Sequence, residues 1–211
     1  MHKRWLISLC MIIFLVGCAE LTKDLSKVPA FQDEFTREFM ASKKEVSEGY
    51  YLFESKTEGY TVPFPGDARI DEIHYEKVGN VFESIKFGSE SEKHTGESYT
   101  VYMMYENPTR PDSLEVQLSS VVNALNYDGD FEEKEYENIT HYFARQKYVL
   151  SSGDSSVYYF FGVVSSNPTN QYISYRYAVR CPDERTGCNY DLDTIEQAIE
   201  KMMTSLKFKE K

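Results

Sequence analysis

The sequence predicts an α+β domain, an antiparallel β-sheet flanked by helices. Aromatic and β-branched residues recur in short alternating runs, the pattern of half-buried strands. The 17 tyrosines and 13 phenylalanines of the 211-residue chain fall mostly in those runs. Two stretches carry apolar residues at helical spacing instead, and clusters of Gly, Pro, Asn and Ser separate the elements.

The first segment is a leader rather than part of the domain. His2, Lys3 and Arg4 precede an apolar run from Trp5 to Val16 that only Ser8 interrupts, and Leu15-Val16-Gly17-Cys18 ends it. This is the layout of a secretory signal, and its ending resembles the lipobox of bacterial lipoproteins. The resemblance implies cleavage before Cys18, diacylglycerol on its thiol and acylation of the new amine. At about a dozen residues the run falls short of the ~20 that a membrane-spanning helix needs. The expected organisation is therefore a signal peptide over 1–17, a lipidated tether over 18–30 and one domain over 31–211.

Within the domain, Phe31, Phe35, Phe39 and Met40 predict a short helix over Asp33 to Ser42, and the mixed-charge stretch from Lys43 to Gly49 leads into the core. Strands are expected at Tyr50–Phe53, Tyr60–Phe64, Ile70–Tyr75 and Val81–Phe87, with a turn at Val78-Gly79-Asn80. The prolines of Pro63-Phe64-Pro65-Gly66-Asp67 suit a strand end or edge, since proline donates nothing to a ladder. Ser98–Tyr105 is apolar on both faces, so both should be covered. Asp112 and Glu115 form an acidic capping box for a helix striped by Leu114, Leu118, Val121, Val122 and Leu125. A meander of Ile139–Leu150, Val157–Val164 and Tyr172–Val179 follows, turning at Ser151–Asp154 and Asn167–Asn170. A last helix carries Leu192, Ile195, Ile199, Met202, Met203 and Leu206 on one face, with Asp193 and Glu196 as its expected capping box.

This order of elements, with Tyr60-Thr61-Val62-Pro63-Phe64-Pro65-Gly66-Asp67 near the start and Ser205-Leu206-Lys207-Phe208 at the end, resembles the PsbP/Mog1-type α/β/α sandwich. The resemblance runs from about Gly49 to Phe208. It implies protein binding rather than catalysis, and no functional residue carries over from it, because sites are not inherited with folds.

Charge narrows the partners. The net charge is −11, and becomes −13 once residues 1–17 leave with Lys3 and Arg4. Such a surface repels phosphate backbones and anionic headgroups, which argues against nucleic acid and places membrane attachment on the lipid alone. Of the four cysteines, Cys10 leaves with the leader and Cys18 takes the lipid. Cys181 and Cys188 remain as a pair that an oxidising exterior favours joining. The loop between them would contribute on the order of 2 kcal/mol as a structural staple.

Motifs for chemistry are sparse. No phosphate-binding loop, dinucleotide fingerprint, nucleophile elbow or zincin helix occurs. His74, His94 and His141 lie far apart in the sequence. Asn126, Asp128, Asp130, Glu132 and Glu137 have oxygen ligands at alternate positions, as in an EF-hand loop, but Phe131 stands where the sharp turn needs glycine. Arg176 and Arg180, with Arg145, form a candidate anion patch, against which stands the abundance of acidic neighbours. No catalytic, cofactor or metal residue is assigned. The expectation is a non-enzymatic lipoprotein of the cell envelope, held on the plasma membrane, or on an outer membrane where two are present, and binding another envelope protein. The alternatives are a small-ligand or metal-binding lipoprotein and, more remotely, a hydrolase.

Overall fold

The computed structural model describes residues 24–89, 98–108, 114–150, 155–181 and 191–209. The chain enters through a 3-10 turn, Leu25–Lys27, and two single-turn helices, α1 (Pro29–Gln32) and α2 (Glu34–Arg37). Strands β1 (Met40–Ser47), β2 (Tyr50–Glu54) and β3 (Tyr60–Pro65) form a meander. Next come β4 (Arg69–Ile70), a 3-10 turn at Glu72–His74, β5 (Glu76–Val78), β6 (Phe82–Ser89) and β7 (Tyr99–Glu106). After helix α3 (Leu114–Leu125) follow β8 (Glu132–Glu135), β9 (Ile139–Val149), β10 (Ser156–Ser166) and β11 (Tyr172–Cys181). Helix α4 (Leu192–Thr204) and the short β12 (Lys207–Phe208) close the chain.

Two antiparallel sheets result. The smaller has the order β1-β2-β3-β12, and the larger runs β4-β6-β7-β11-β10-β9-β8, with β5 also on β6. β7 therefore pairs with β11 across the intervening α3 and β8–β10. One face of the large sheet packs against the small sheet and α4 around Ile85, Val101, Met103, Ile173 and Val179; the other packs on α3 through Val121, Phe161 and Val163. The expected α+β sandwich is the observed architecture.

Aromatic rings fill the space between the sheets. Phe53 stacks on Phe39 at 5.3 Å and on Phe64 at 5.9 Å, and Tyr60 meets Tyr105 at 5.1 Å. Fully burying each such ring contributes about 1.5–3 kcal/mol, so Phe53→Ala should lower stability by about 3–5 kcal/mol in urea unfolding, through lost burial and the cavity left behind. Gly162, in β10, is dictated by packing: a Cβ there would lie 1.9 Å from the Tyr142 carbonyl oxygen of β9.

Several boundaries differ from the sequence reading. Val28 and Ala30, assigned to the tether, are buried, and the Ala30 N–H donates to the Gly66 carbonyl at 3.0 Å. The packed domain thus begins before residue 31. The helix expected over Asp33 to Ser42 is instead the single turn Glu34–Arg37, preceded by the extended Asp33, whose side chain caps α2 by accepting from the Thr36 N–H. The chain becomes strand at Met40. β1 escaped detection because its charged residues give no apolar alternation and its pairing with β2 is irregular, as suits a charged edge. Ile70–Tyr75 is not one strand, since Asp71 caps a 3-10 turn by accepting from the Ile73 N–H. Pro63 and Pro65 lie in a strand flanked by β2, but β12 reaches only Tyr60 and Thr61, so that side of the prolines is an edge. The cap of α4 is Asp191, accepting from the Thr194 N–H, and not Asp193.

Candidate functional site

A cleft of about 680 Å³ opens where the entering segment, the small sheet and α4 meet. Three pieces of local structure build it. Residues 27–29 form one wall, fixed by the hydrogen bond from Ala30 to Gly66. The β1–β2 turn supplies Glu48 and Gly49; Gly49 has φ +76°, a region glycine adopts without strain, and its carbonyl accepts from the Gly66 N–H. The third wall is the apolar face of α4, with Ile195, Ala198, Ile199 and Met202. A second recess of about 270 Å³ shares Glu48, Tyr50, Ala198 and Met202 with the first, so the space continues along α4.

The polar content of the cleft converges on Asp67. Its Oδ1 accepts from the Tyr99 hydroxyl at 2.9 Å, while Oδ2 is buried with no hydrogen-bond partner among the described residues. The Tyr99 ring stacks on Tyr177 at 4.9 Å and 13°. Burial pushes the Tyr99 hydroxyl well above its ordinary range and the Asp67 charge pushes the same way; Tyr50 is raised for the same two reasons. Both phenols are therefore held protonated as donors. The cleft offers the Asp67 carboxylate, with Glu48 at its rim, a stacked tyrosine pair and apolar walls, in a volume typical of small-molecule sites. Sequence reasoning quoted Asp67 only as part of a strand-end motif. Its convergence with Tyr99 and Tyr177, 32 and 110 positions away, arises from sheet register and has no local signal.

The other candidates fall elsewhere. Arg145 projects from the α4 face of the large sheet and pairs with Glu196 at 2.6 Å and Asp193 at 3.9 Å. Arg176 sits on the opposite face, its guanidinium over the Tyr102 ring at 5.2 Å. The three arginines therefore form no common anion patch, because Arg145 of β9 and Arg176 of β11 register with successive residues of β10, Phe160 and Phe161, and so lie on opposite sides of the sheet. In the acidic loop, Asn126 takes a positive φ of 48° beyond α3, Glu132 opens β8 and pairs with Lys134, and the Tyr127 hydroxyl donates to the Asp130 carbonyl. Among the described residues no group of three metal-ligating side chains is assembled. Cys181 ends β11 and is buried; Cys18, Cys188 and His94 lie outside the described residues.

His74 is half exposed and pairs with Asp71 at 2.7 Å. His141 is fully buried, with Nε2 2.7 Å from the Tyr175 hydroxyl. Burial pushes the imidazole down to about 4, against a weaker upward pull from Glu200. The fold thus holds His141 neutral, whereas the unfolded chain protonates it near 6.5. Protons therefore favour the unfolded state as pH falls: this contribution to stability is complete above pH 6.5 and declines toward pH 4, by on the order of 3 kcal/mol. His141→Phe should flatten the dependence of the urea midpoint on pH across that window, and an unchanged slope would refute the assignment.

The sequence profile of the family described as "Putative lipoprotein YvcA" matches residues 26–207. A Bacillus subtilis (strain 168) protein named "Putative lipoprotein YvcA" is 31% identical over 191 residues, covering 88% of this chain and 79% of that protein. Among solved structures, a Bacteroides thetaiotaomicron protein aligns with a TM-score of 0.43 at 10% identity, over 78% of this chain and 50% of that one. The chain spans half the length of that structure. LpqN of Mycobacterium tuberculosis, titled as involved in cell envelope biogenesis, aligns with a TM-score of 0.39 at 12% identity, over 76% of this chain and 91% of its own.

Proposed function

The chain belongs to the YvcA_Mog1p lipoprotein family, and on that premise we propose that it is a lipid-anchored, non-enzymatic binding protein of the cell envelope. In this reading Cys18 carries the anchor, Cys181 and Cys188 form a staple beyond β11, and the cleft beside α4 is the binding site. The observation that carries it is the cleft itself, built from three separate elements around Asp67, Tyr99 and Tyr177. Two features support a binding rather than catalytic role. His141 engages Tyr175 inside the core, and His74 pairs with Asp71 at the surface, so neither stands against a nucleophile in the cleft.

Leu25–Lys27 lies only nine residues beyond Cys18 at its far end, a reach of about 30 Å when fully extended. The cleft, walled partly by that segment, would thus be presented close to the membrane surface. Ala198→Trp adds an indole to the cleft wall at a partly exposed helix position. Native mass spectrometry of the mature protein released from its own membranes should detect a bound mass that this variant lacks. Identical spectra for the two proteins would overturn the assignment of the cleft.

A further inference from the structure

We propose that the cleft selects a primary ammonium group carried on an apolar body, an inference that rests on the cleft being a binding site and names the chemistry it takes. The argument starts from the unmatched valence of Asp67. One oxygen is satisfied by Tyr99 at 2.9 Å; the other is buried without a partner among the described residues. A buried acceptor left unpaired is costly, and a ligand donor removes that cost on binding. A neutral donor would serve geometrically, but the group is a carboxylate, and an ammonium adds charge assistance to the same hydrogen bond.

Among the described residues, Glu48 stands at the exposed rim of the cleft and Lys27, on its wall, faces Asp24 at 3.6 Å, while Lys201 lines the recess beyond, away from Asp67 and Tyr99. Tyr50 and the Tyr99–Tyr177 stack add aromatic rings, whose faces attract cations. An anion would meet the carboxylates of Asp67 and Glu48 here. The methyl and methylene groups of Ile195, Ile199 and Met202 opposite can bury an alkyl or aryl body, and the continuing recess along α4 lengthens that space. A primary amine on a hydrocarbon frame satisfies all of these at once, whether it comes from a lipid headgroup or a free metabolite.

Calorimetric titration of the mature lipidated protein in zwitterionic nanodiscs, with empty discs subtracted, tests this with three probes of one shape. Phenethylamine should bind at least tenfold more tightly than 2-phenylethanol, its uncharged isostere, and than 3-phenylpropanoate. Asp67→Asn should bring the amine down to the level of the alcohol. Tyr99→Phe keeps the ring, frees Oδ1 as well, and should leave the amine preference intact, so a folding defect in one variant is not mistaken for lost recognition. Equal or stronger binding of the alcohol or the anion overturns the cation assignment and leaves the cleft a binding site. Binding by none of the three overturns the inference, and the mass kept or lost in Ala198→Trp then decides the cleft separately.

Discussion

Cys18→Ala should abolish fatty-acid labelling completely and leave a chain that retains residues 1–17. The effect is all-or-none because, in the proposed reading, one thiol is both the acylation site and the mark for cleavage after Leu15-Val16-Gly17. In that reading the lipid does the anchoring. Each buried methylene contributes about 0.8 kcal/mol, and stable attachment takes at least two chains. The net charge is −11, and no helix of the described residues is long and apolar enough to cross a membrane. Pulse labelling with palmitate, followed by size analysis, reads both outcomes. Label on the alanine variant, or a product of mature size, would refute the assignment of Cys18.

Glu83→Leu should cost on the order of 3–5 kcal/mol of stability, the range for removing one side of a buried charged network. Glu83 lies on β6 with no exposed surface, and its oxygens accept from the Lys56 N–H at 2.9 Å, the Tyr60 hydroxyl at 2.9 Å and the Tyr75 hydroxyl at 3.2 Å. These donors come from the β2–β3 turn, from β3 and from the 3-10 turn before β5, so one carboxylate ties the small sheet to the large one. Leucine fills much of the space but leaves all three donors without an acceptor. Glu83→Gln retains an acceptor oxygen and allows a phenol to rotate and accept from its amide, so it should cost clearly less. Urea unfolding of both variants gives the comparison; equal losses would show that packing, not hydrogen bonding, governs the position.

Much of the architecture was legible because burial writes a periodicity into the sequence. β10 and β11 are buried along most of their length and on both faces, β9 over its first half, and α4 along one stripe, and those long apolar patterns mark the type of each element. Elements that bury little left no such trace. β8 reads Glu-Glu-Lys-Glu and owes its existence to pairing with β9, and β12 is two residues held by β3. The Asp193 expectation failed because two acidic residues stand near the start of α4, and backbone geometry, not composition, selects Asp191 as the cap.

The site was less legible than the fold. Arg145, Arg176 and Arg180 attract notice as charges in strands, yet which face each occupies depends on the register between β9, β10 and β11. Asp67 carries no sequence mark of its role, since an aspartate after Pro-Gly is an ordinary turn residue. What distinguishes it is an unpaired oxygen beneath Tyr99, visible only once β3 and β7 are brought together across the core.

The denatured intact mass of the protein purified from membranes addresses the central claim most directly, that this is a lipoprotein domain presented at a membrane by its own N-terminus. The expected mass is that of a chain beginning at Cys18 plus diacylglycerol and, with the amine acylated, a third fatty chain. A chain retaining Met1, or one beginning at residue 18 without fatty chains, would contradict it.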